Sequence, residues 1–257
     1  MRKLRSENRD RVARDGRYYN HEGFFPRGAF PRFFYVPFAA GVPGGDTLEV
    51  PAYPGLPALR SALLRLGASD ALMLEGLSHV PFAAVPVWDV TPEGTLLSSD
   101  GASPLLIETN SRGDTLRTIR LPDQPLRRVP PGARADSLRA LERRIARVPG
   151  RLQDVEGLGE GVEDRRLPDF LPRVIDLRVV DNGTIWLEQW PPEENPDFRQ
   201  YMVLDADGRL LRFVVLRAPL AANPPRYLSE RFIVGVIRDP DTGVERVVRF
   251  DLPWAQP

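Results

Sequence analysis

The sequence predicts an all-β protein, a propeller-like array of about four antiparallel blades, and three observations predict it. An apolar strand, a tight turn rich in Gly, Asp, Ser and Asn, and a second strand recur at residues 64–74, 107–119 and 202–213. A shorter strand-and-turn signal precedes each of them, beginning at Pro43, Pro92 and Asp181. The same unit therefore recurs along the chain, and repeated antiparallel units of this kind are typical of propeller blades.

The repeat divides the chain into four units. The first unit has strands near residues 30–38, 46–52, 59–66 and 71–77. The second has strands at 84–90, 94–99, 104–109 and 115–121, and the third at 173–180, 183–190, 200–204 and 209–216. The fourth has a weak strand near Arg226, then strands at 231–237 and 244–252. Runs that are apolar throughout, such as FVVL from Phe213, are typical of strands sandwiched between neighbouring blades.

The turns between these strands have a local chemical cause. Asn182-Gly183 and Asp207-Gly208 supply the positive φ that tight hairpin turns require, and Gly94 and Gly113 are placed to do the same. The LDADG turn that contains Asp207 lacks the full ligand series and the distal glutamate of a calcium loop. We therefore interpret it as a turn former.

One segment, residues 122–172, interrupts the strand pattern between the second and third units. Within it, residues 130–148 carry Leu138, Leu141, Ile145 and Val148 at helical spacing, with prolines at the start. This pattern predicts an amphipathic helix that packs over one face of the β-array. A lid or a partner contact is the alternative role.

Composition bounds the class of protein. The 257 residues suffice for one β-rich domain, and 35 basic residues balance 35 acidic ones, which gives no field that would attract nucleic acid. The absence of cysteine excludes disulfides and thiolate chemistry. Neither a secretory signal nor a membrane-spanning apolar run is present, so the sequence as it stands predicts a cytoplasmic chain.

The chemical inventory predicts no catalytic, cofactor-binding or metal-binding residue. The two histidines, His21 and His79, sit in separate turn regions, whereas a metal site needs converging ligands. The GLGEG segment from Gly157 lacks the strand–helix context of a phosphate loop. Paired carboxylates occur in predicted loops and are interpreted as solvated charge: Glu160 and Asp164, and Glu193 and Glu194.

Arginines and aromatic residues offer two further candidates. The arginines on the polar side of the predicted helix are interpreted as a solvated face, with anion contact as the alternative: Arg139, Arg143, Arg144 and Arg147. Trp186 and Trp190 are four residues apart in one strand, so they are expected on one face, with Tyr201 on the adjacent strand. Such a group packs blade against blade or forms a platform for a sugar ring.

The two ends of the sequence suggest how the array could close. Residues 11–19 match the turn between the third and fourth strands of a unit, and the fourth unit lacks its outermost strand. Residues 17–20 are therefore candidates for that missing strand. A partial ring would leave two apolar blade faces open, and we expect self-association through them.

Three segments carry a resemblance to a known family: FFPRGAF from Phe24, VWDVTPEGT from Val87, and the tail from Val234 to Leu252. From about Arg11 onward the chain resembles the C-terminal half of bacterial six-bladed β-propellers of the NHL/TolB-like kind. The resemblance implies the fold but gives little information about activity. It also implies an exported or lipid-anchored parent, with upstream blades and an export signal that this sequence does not contain.

These observations favour a non-enzymatic binding scaffold whose ligand is a protein, a peptide or a glycan. One alternative is a metal-dependent propeller hydrolase, lactonase or lyase, against which the shortage of histidine argues. The other is a non-functional fragment of a longer propeller gene.

Overall fold

The computed structural model describes residues 4–5, 11–12, 18–24, 32–39, 42–43, 45–50, 80–150, 167–191, 198–217, 227–239 and 241–255. Strands in these ranges form four antiparallel sheets, and one α-helix lies between the second and third sheets. In the described residues, the predicted all-β character and the predicted helix within 122–172 are confirmed. None of the described helices is both long and apolar enough to cross a membrane.

The first sheet contains six strands: β1 (Leu4–Arg5), β2 (Arg11–Val12), β3 (Tyr18–Phe24), β4 (Arg32–Ala39), β5 (Val42–Pro43) and β6 (Leu48–Glu49). β4 and β6 correspond to the first two predicted strands of the first unit. The predicted strands at 59–66 and 71–77 lie outside the described residues.

The idea that residues 17–20 complete the fourth unit is wrong. β3 pairs with β4 of the first sheet, with Tyr18 opposite Phe38 and Tyr19 opposite Pro37. β1 and β2 then pair with the other edge of β3. A hairpin between two strands adjacent in sequence closes a short loop, which costs far less chain entropy than pairing across more than 200 residues.

The second, third and fourth sheets match the predicted units to within a few residues. The second comprises β7 (Val87–Val90), β8 (Leu96–Ser99), β9 (Leu105–Thr109) and β10 (Thr115–Arg120). The third comprises β11 (Asp176–Val179), β12 (Ile185–Gln189), β13 (Arg199–Leu204) and β14 (Leu210–Leu216). The fourth comprises β15 (Tyr227–Leu228), β16 (Phe232–Arg238) and β17 (Glu245–Asp251). In all three sheets, sequential strands are neighbours.

The predicted turn glycines have positive φ. Gly94, Gly113, Gly183 and Gly208 lie between +81° and +88°, and each donates its N–H to the carbonyl three residues earlier. In the last turn, Asp205 Oδ1 accepts the N–H groups of Asp207 and Arg209. This carboxylate therefore caps its own turn, in agreement with the interpretation of LDADG as a turn former.

Neighbouring sheets bury apolar faces against each other in chain order. Tyr19 and Tyr35 of the first sheet pack against Val90 and Leu96 of the second. A larger core lies between the second and third sheets: Val87, Leu97, Leu106, Ile119 and Leu121 against Val174, Leu177, Ile185, Leu187, Met202 and Leu204. A third core joins the third sheet to the fourth: Val180, Trp186, Tyr201, Val203, Val214 and Leu216 against Leu228, Ile233 and Leu252.

The FVVL run does not behave as a strand sandwiched on both faces. Val214 and Leu216 are buried against the fourth sheet, whereas Phe213 and Val215 are 47% and 44% exposed. Here β14 is the outermost strand of the third sheet, and the core toward the second sheet does not reach it. Only one of its faces is therefore covered.

The helix α1 (Pro131–Ile145) begins one residue after Pro130, as the sequence predicts. Leu141 and Val148 are buried, while the four arginines of its polar side are exposed. The Arg134 guanidinium donates to the carbonyls of Leu167 and Pro168. These contacts fasten the helix to the segment that leads back into the third sheet.

We predict that Gly208→Ala lowers the free energy of unfolding by about 2–4 kcal/mol. A Cβ there would lie 2.1 Å from Ile119 Cγ2, and the φ of +87° adds backbone strain. Gly113 is the matched control, because its φ is +84° but a Cβ would meet nothing within 4 Å. Gly113→Ala should cost only about 1 kcal/mol. Urea unfolding measures both, and equal losses would contradict the packing of this turn on β10.

Candidate functional site

The sheets have one end with short turns and one end with long connections. The glycine turns at 91–95 and 181–184 lie at the first end. The described parts of the 122–172 insertion and residues 190–191, which follow β12, lie at the other. Long connections on a rigid scaffold are where binding groups concentrate, so this end is the first place to look for a site.

The base of the insertion closes into a stem. Val129 N–H donates to the carbonyl of Asp169, Leu171 N–H donates to that of Arg127, and Arg128 bridges to Phe170. The Arg127 guanidinium also donates to the carbonyls of Trp190 (2.7 Å) and Pro191 (2.8 Å). The stem is thereby fixed to the end of β12.

A cavity of about 300 Å³ lies between this stem and the third sheet. Its walls come from the stem, the end of β12, the start of β13 and the middle of β14. Its lining residues are Gln124, Pro125, Leu126, Arg127, Leu171, Pro172, Arg173, Gln189, Trp190, Gln200 and Phe213. Apolar walls with a few convergent polar groups are typical of ligand sites.

Three glutamines form a hydrogen-bonded ladder along the cavity. Gln200 Nε2 donates to Gln189 Oε1 (3.3 Å), and Gln189 Nε2 donates to Gln124 Oε1 (2.6 Å). Because the ladder runs in one direction, it ends in an acceptor, Gln200 Oε1, and in a donor group, Gln124 Nε2. A ligand that both donates and accepts hydrogen bonds fits these two ends.

The two arginines of the cavity are engaged with main-chain carbonyls. Arg127 holds Trp190 and Pro191, as described above, and Arg173 Nη1 donates to the carbonyl of Gln124 (3.0 Å). Their donors therefore support the wall. The uncharged polar side chains of the cavity are the three glutamine amides.

Of the two roles considered for Trp186, Trp190 and Tyr201, the shared aromatic platform does not form. Trp186 is 1% exposed and packs edge-on against Tyr201, with ring centroids 5.7 Å apart, in the core toward the fourth sheet. Trp190 instead lines the cavity and contacts Phe82, with centroids 5.5 Å apart. The reason is that β12 ends at Gln189, so strand alternation no longer determines where Trp190 points. The core-packing interpretation holds for Trp186 and Tyr201.

A buried charged cluster occupies the opposite face of the third sheet. Asp176 lies opposite Glu188, and Glu188 lies opposite Tyr201, on neighbouring strands. Arg199 Nη1 contacts Glu188 Oε1 at 2.6 Å, and Arg178 Nε contacts Asp176 Oδ2 at 3.0 Å. Glu188 is 4% exposed, and its Oε2 is buried without a hydrogen-bond partner.

The pKa of Glu188 is raised from 4.5 to about 7, and burial in this cluster is the largest cause. The nearby Arg199 charge lowers the pKa and the Asp176 charge raises it, and both are included in that value. The pKa of Tyr201 is raised above its ordinary value by burial and by the Glu188 charge. Glu188 thus exchanges its proton near neutral pH.

Most of the other residues singled out from sequence are not described by the structure. His79, Glu160, Asp164, Glu193, Glu194 and the glycine-rich segment at 157–161 lie outside the described residues, as does the side chain of His21. Arg139 pairs with Asp136 at 2.5 Å on the exposed helix face. Among the residues that the structure describes, no group of three His, Asp or Glu side chains is placed to hold a metal ion.

The glutamine ladder and the Glu188 cluster are absent from the expectations drawn from sequence. One signal was present: polar or charged residues interrupt strands that are otherwise apolar, in VIDLRVV from Val174 and IWLEQW from Ile185. Buried positions of that kind need specific partners. Nothing in the sequence, however, indicates that Gln189 pairs with Gln124, which lies 65 positions away along the chain.

We predict that Glu188 makes the protein less stable as pH rises from about 4.5 to about 7. In this window the folded state holds the proton that the unfolded state has released, so raising pH favours unfolding, by up to about 3 kcal/mol. Glu188→Gln keeps an acceptor for Arg199 and should remove this dependence. Denaturant unfolding at pH 5 and pH 8 measures it.

The matched control for that prediction is Glu245→Gln. Glu245 pairs with Arg238 on the surface, with its side chain 52% exposed. This change should leave the pH dependence as in the parent protein. An unchanged pH dependence in Glu188→Gln would show that Glu188 is ionised throughout the range.

Comparison of the sequence with protein-family models finds no match, and comparison with curated proteins finds none. The resemblance to NHL/TolB-like propellers therefore stays a prediction.

Proposed function

We propose that this chain is a non-enzymatic binding scaffold of propeller-like architecture that holds its ligand in the cavity at the loop-rich end of the second and third sheets. The observation that carries the proposal is the glutamine ladder of Gln124, Gln189 and Gln200 inside an apolar-walled cavity. An amide ladder with one donor end and one acceptor end suits an uncharged amide or hydroxyl ligand.

The packing of the sheets supports the propeller-like part of the proposal. Sheets follow one another face to face in chain order. The first strands of the second and third sheets, β7 and β11, are in contact. In a propeller the first strand of each blade lines the central axis, and the resemblance noted from sequence agrees with that arrangement.

The chemistry of the cavity favours binding over catalysis. Its polar side chains are amides and carbonyl-bound guanidiniums, which are neither nucleophiles nor general bases at neutral pH. The titrating carboxylate, Glu188, belongs to the opposite face of the sheet. The metal-dependent hydrolase or lyase alternative requires a cluster of side chains that can bind a metal ion. The fragment alternative requires that the chain bind no molecule at all.

We predict that the side-chain amide resonances of Gln189 and Gln200 shift when a ligand binds. The measurement is an NMR titration of 15N-labelled protein with N-acetyl amino acid amides and with neutral mono- and disaccharides. Gln189→Leu interrupts the ladder and should weaken binding by about tenfold, the equivalent of one hydrogen bond. Arg246→Ala, an exposed change on β17, should leave binding unchanged.

Other results would decide against the proposal. If no probe shifts the glutamine signals, the cavity is not a ligand site. If hydrolysis of an ester or lactone substrate depends on added divalent metal, the enzymatic alternative is correct.

A further inference from the structure

We propose that β17 is the contact strand of a homodimer, in which the β17 strands of two copies pair antiparallel with Val247 on the two-fold axis. The two fourth sheets then form one continuous six-stranded sheet. This inference goes beyond the proposed function, because the cavity lies beside the third sheet. Three observations carry it: an open strand edge, the direction of the main-chain groups on that edge, and a self-complementary order of side chains.

The fourth sheet has one strand fewer than the two sheets before it. The second and third sheets each contain four strands, whereas the fourth contains only β15, β16 and β17 among the described residues. In that part of the chain β17 pairs with β16 alone, so its outer edge is open. Val247, in the middle of this seven-residue strand, is 75% exposed. An open edge of this length is a template for a strand from another chain.

Main-chain hydrogen bonds show which groups of β17 point away from β16. The carbonyl of Val244 accepts the N–H of Asp239, and the N–H of Leu252 donates to the carbonyl of Arg231. Both even-numbered positions, 244 and 252, therefore face β16, and the register between them is continuous. Because this direction alternates along an antiparallel strand, the odd-numbered residues present their N–H and C=O groups to the open edge. These residues are Glu245, Val247, Arg249 and Asp251.

The outward groups restrict how two copies of β17 can pair. A symmetric antiparallel pair must join outward-pointing residues to each other, so its axis passes through a residue. Three such registers, centred on Val247, Val248 and Arg249, pair five or more of the seven residues. The register centred on Val248 places Glu245 opposite Asp251, and the one centred on Arg249 places two arginines opposite each other. Only the register centred on Val247 places Glu245 opposite Arg249, on both sides of the axis, with no like charges directly opposite.

This register also continues the side-chain rows of the fourth sheet. Val236 of β16 lies beside Val247, so the row on the axis contains four valines, two from each copy. Arg238 of β16 pairs with Glu245 at 2.6 Å, and Glu245 then faces Arg249 of the second copy. The rows that flank the valines therefore alternate in charge. Apolar and opposite-charge pairs across an antiparallel strand pair are stabilising.

The charges of β17 balance, since the strand contains two acidic and two basic residues: Glu245, Arg246, Arg249 and Asp251. Arg249 contacts Asp251 of its own strand at 2.7 Å, so in the dimer it lies between two carboxylates. Asp251 itself lies opposite Gly243. The two Arg246 side chains lie on the other face, opposite Val248, and meet only diagonally at exposed positions, where solvent and salt screen them.

The occupant is a second copy because the order Glu245, Val247, Arg249 is its own complement when it is reversed. A two-fold interface requires this property, since the same residues must match themselves. A strand from a different protein could use the open edge, but nothing in β17 selects for one.

The first test measures the dimer by sedimentation velocity over a series of concentrations up to about 1 mM. Glu245→Arg and Arg249→Glu each place like charges opposite one another and should each raise the dimer Kd at least about tenfold. An equimolar mixture of these two variants should associate again, because every arginine at the two positions then faces a glutamate. Recovery in the mixture also shows that both variants are folded.

The matched control is Arg246→Glu, which makes the same change of charge on the same strand and should leave the dimer in place. A parent chain that stays monomeric over the whole concentration series would overturn the proposal. A mixture that does not associate, or an equal loss of the dimer in the control, would overturn the register.

The second test reads the register directly with single cysteines, because the chain has none of its own. On the axis, the two Cα atoms of residue 247 lie about 5.5 Å apart, which suits a disulfide. Val247→Cys should therefore form a disulfide-linked dimer under mild oxidation. Val244→Cys is the control: Val244 is 51% exposed, but its two copies lie roughly 20 Å apart in this register. Equal cross-linking of the two variants would overturn the placement of the axis.

The outcomes also separate this inference from the proposed function. Association that Val215→Lys on β14 abolishes and Glu245→Arg leaves unchanged would place the interface on the exposed face of the third sheet and overturn the β17 dimer. Ligand shifts of Gln189 and Gln200 in a chain that stays monomeric would support the scaffold and overturn the dimer. Dimerisation without any ligand shift would support the dimer and remove the cavity as a ligand site.

Discussion

The fold depends on the apolar contact between the second and third sheets. The residues of this core come from both sheets and from the segments that flank them. Burial at roughly 25 cal/mol per Å² makes a contact of this size the main favourable contribution to the array. Each outer sheet adds one further core to this central pair.

Polar contacts fix the register of the central pair. The Asp89 carboxylate, fully buried, accepts the N–H of Val90 and also that of Val179 across the sheet interface. The Gly101 carbonyl accepts the N–H groups of Arg173 and Val174, and a side chain there would lie 2.6 Å from the Val85 carbonyl. Apolar contact alone is non-directional, so these bonds determine where the second sheet meets the third.

The third sheet carries two kinds of polar site on adjacent residues of β12. Glu188 faces the fourth sheet, where burial shifts its proton equilibrium, and Gln189 faces the cavity, where it joins the ladder. Glu188 is paired on both sides of β12, with Asp176 and Tyr201, and Gln189 is paired with Gln200 of β13. A strand buried on both faces keeps polar groups only where each finds partners, and here those partners come from neighbouring strands and from the insertion.

Local sequence determined the elements. The strands depend on period-two alternation, the glycine turns on positive φ at Gly183 and Gly208, and the helix on prolines before an amphipathic run. All of these signals act over a few residues. The strands of the second, third and fourth sheets and the helix could therefore be predicted closely. Pairing partners of the N-terminal strands could not, because alternation does not say which edge a strand joins.

Only the tertiary structure decided the site. Gln124 enters the cavity because the stem of the insertion folds back onto β12, and Trp190 turns toward Phe82 because the strand has ended. Glu188 acquires its shifted pKa from burial and from charges on two other strands. The sequence by itself determined which residues form strands. The packing of sheets distant in sequence decided which polar groups meet, because hydrogen bonds and desolvation depend on three-dimensional neighbours.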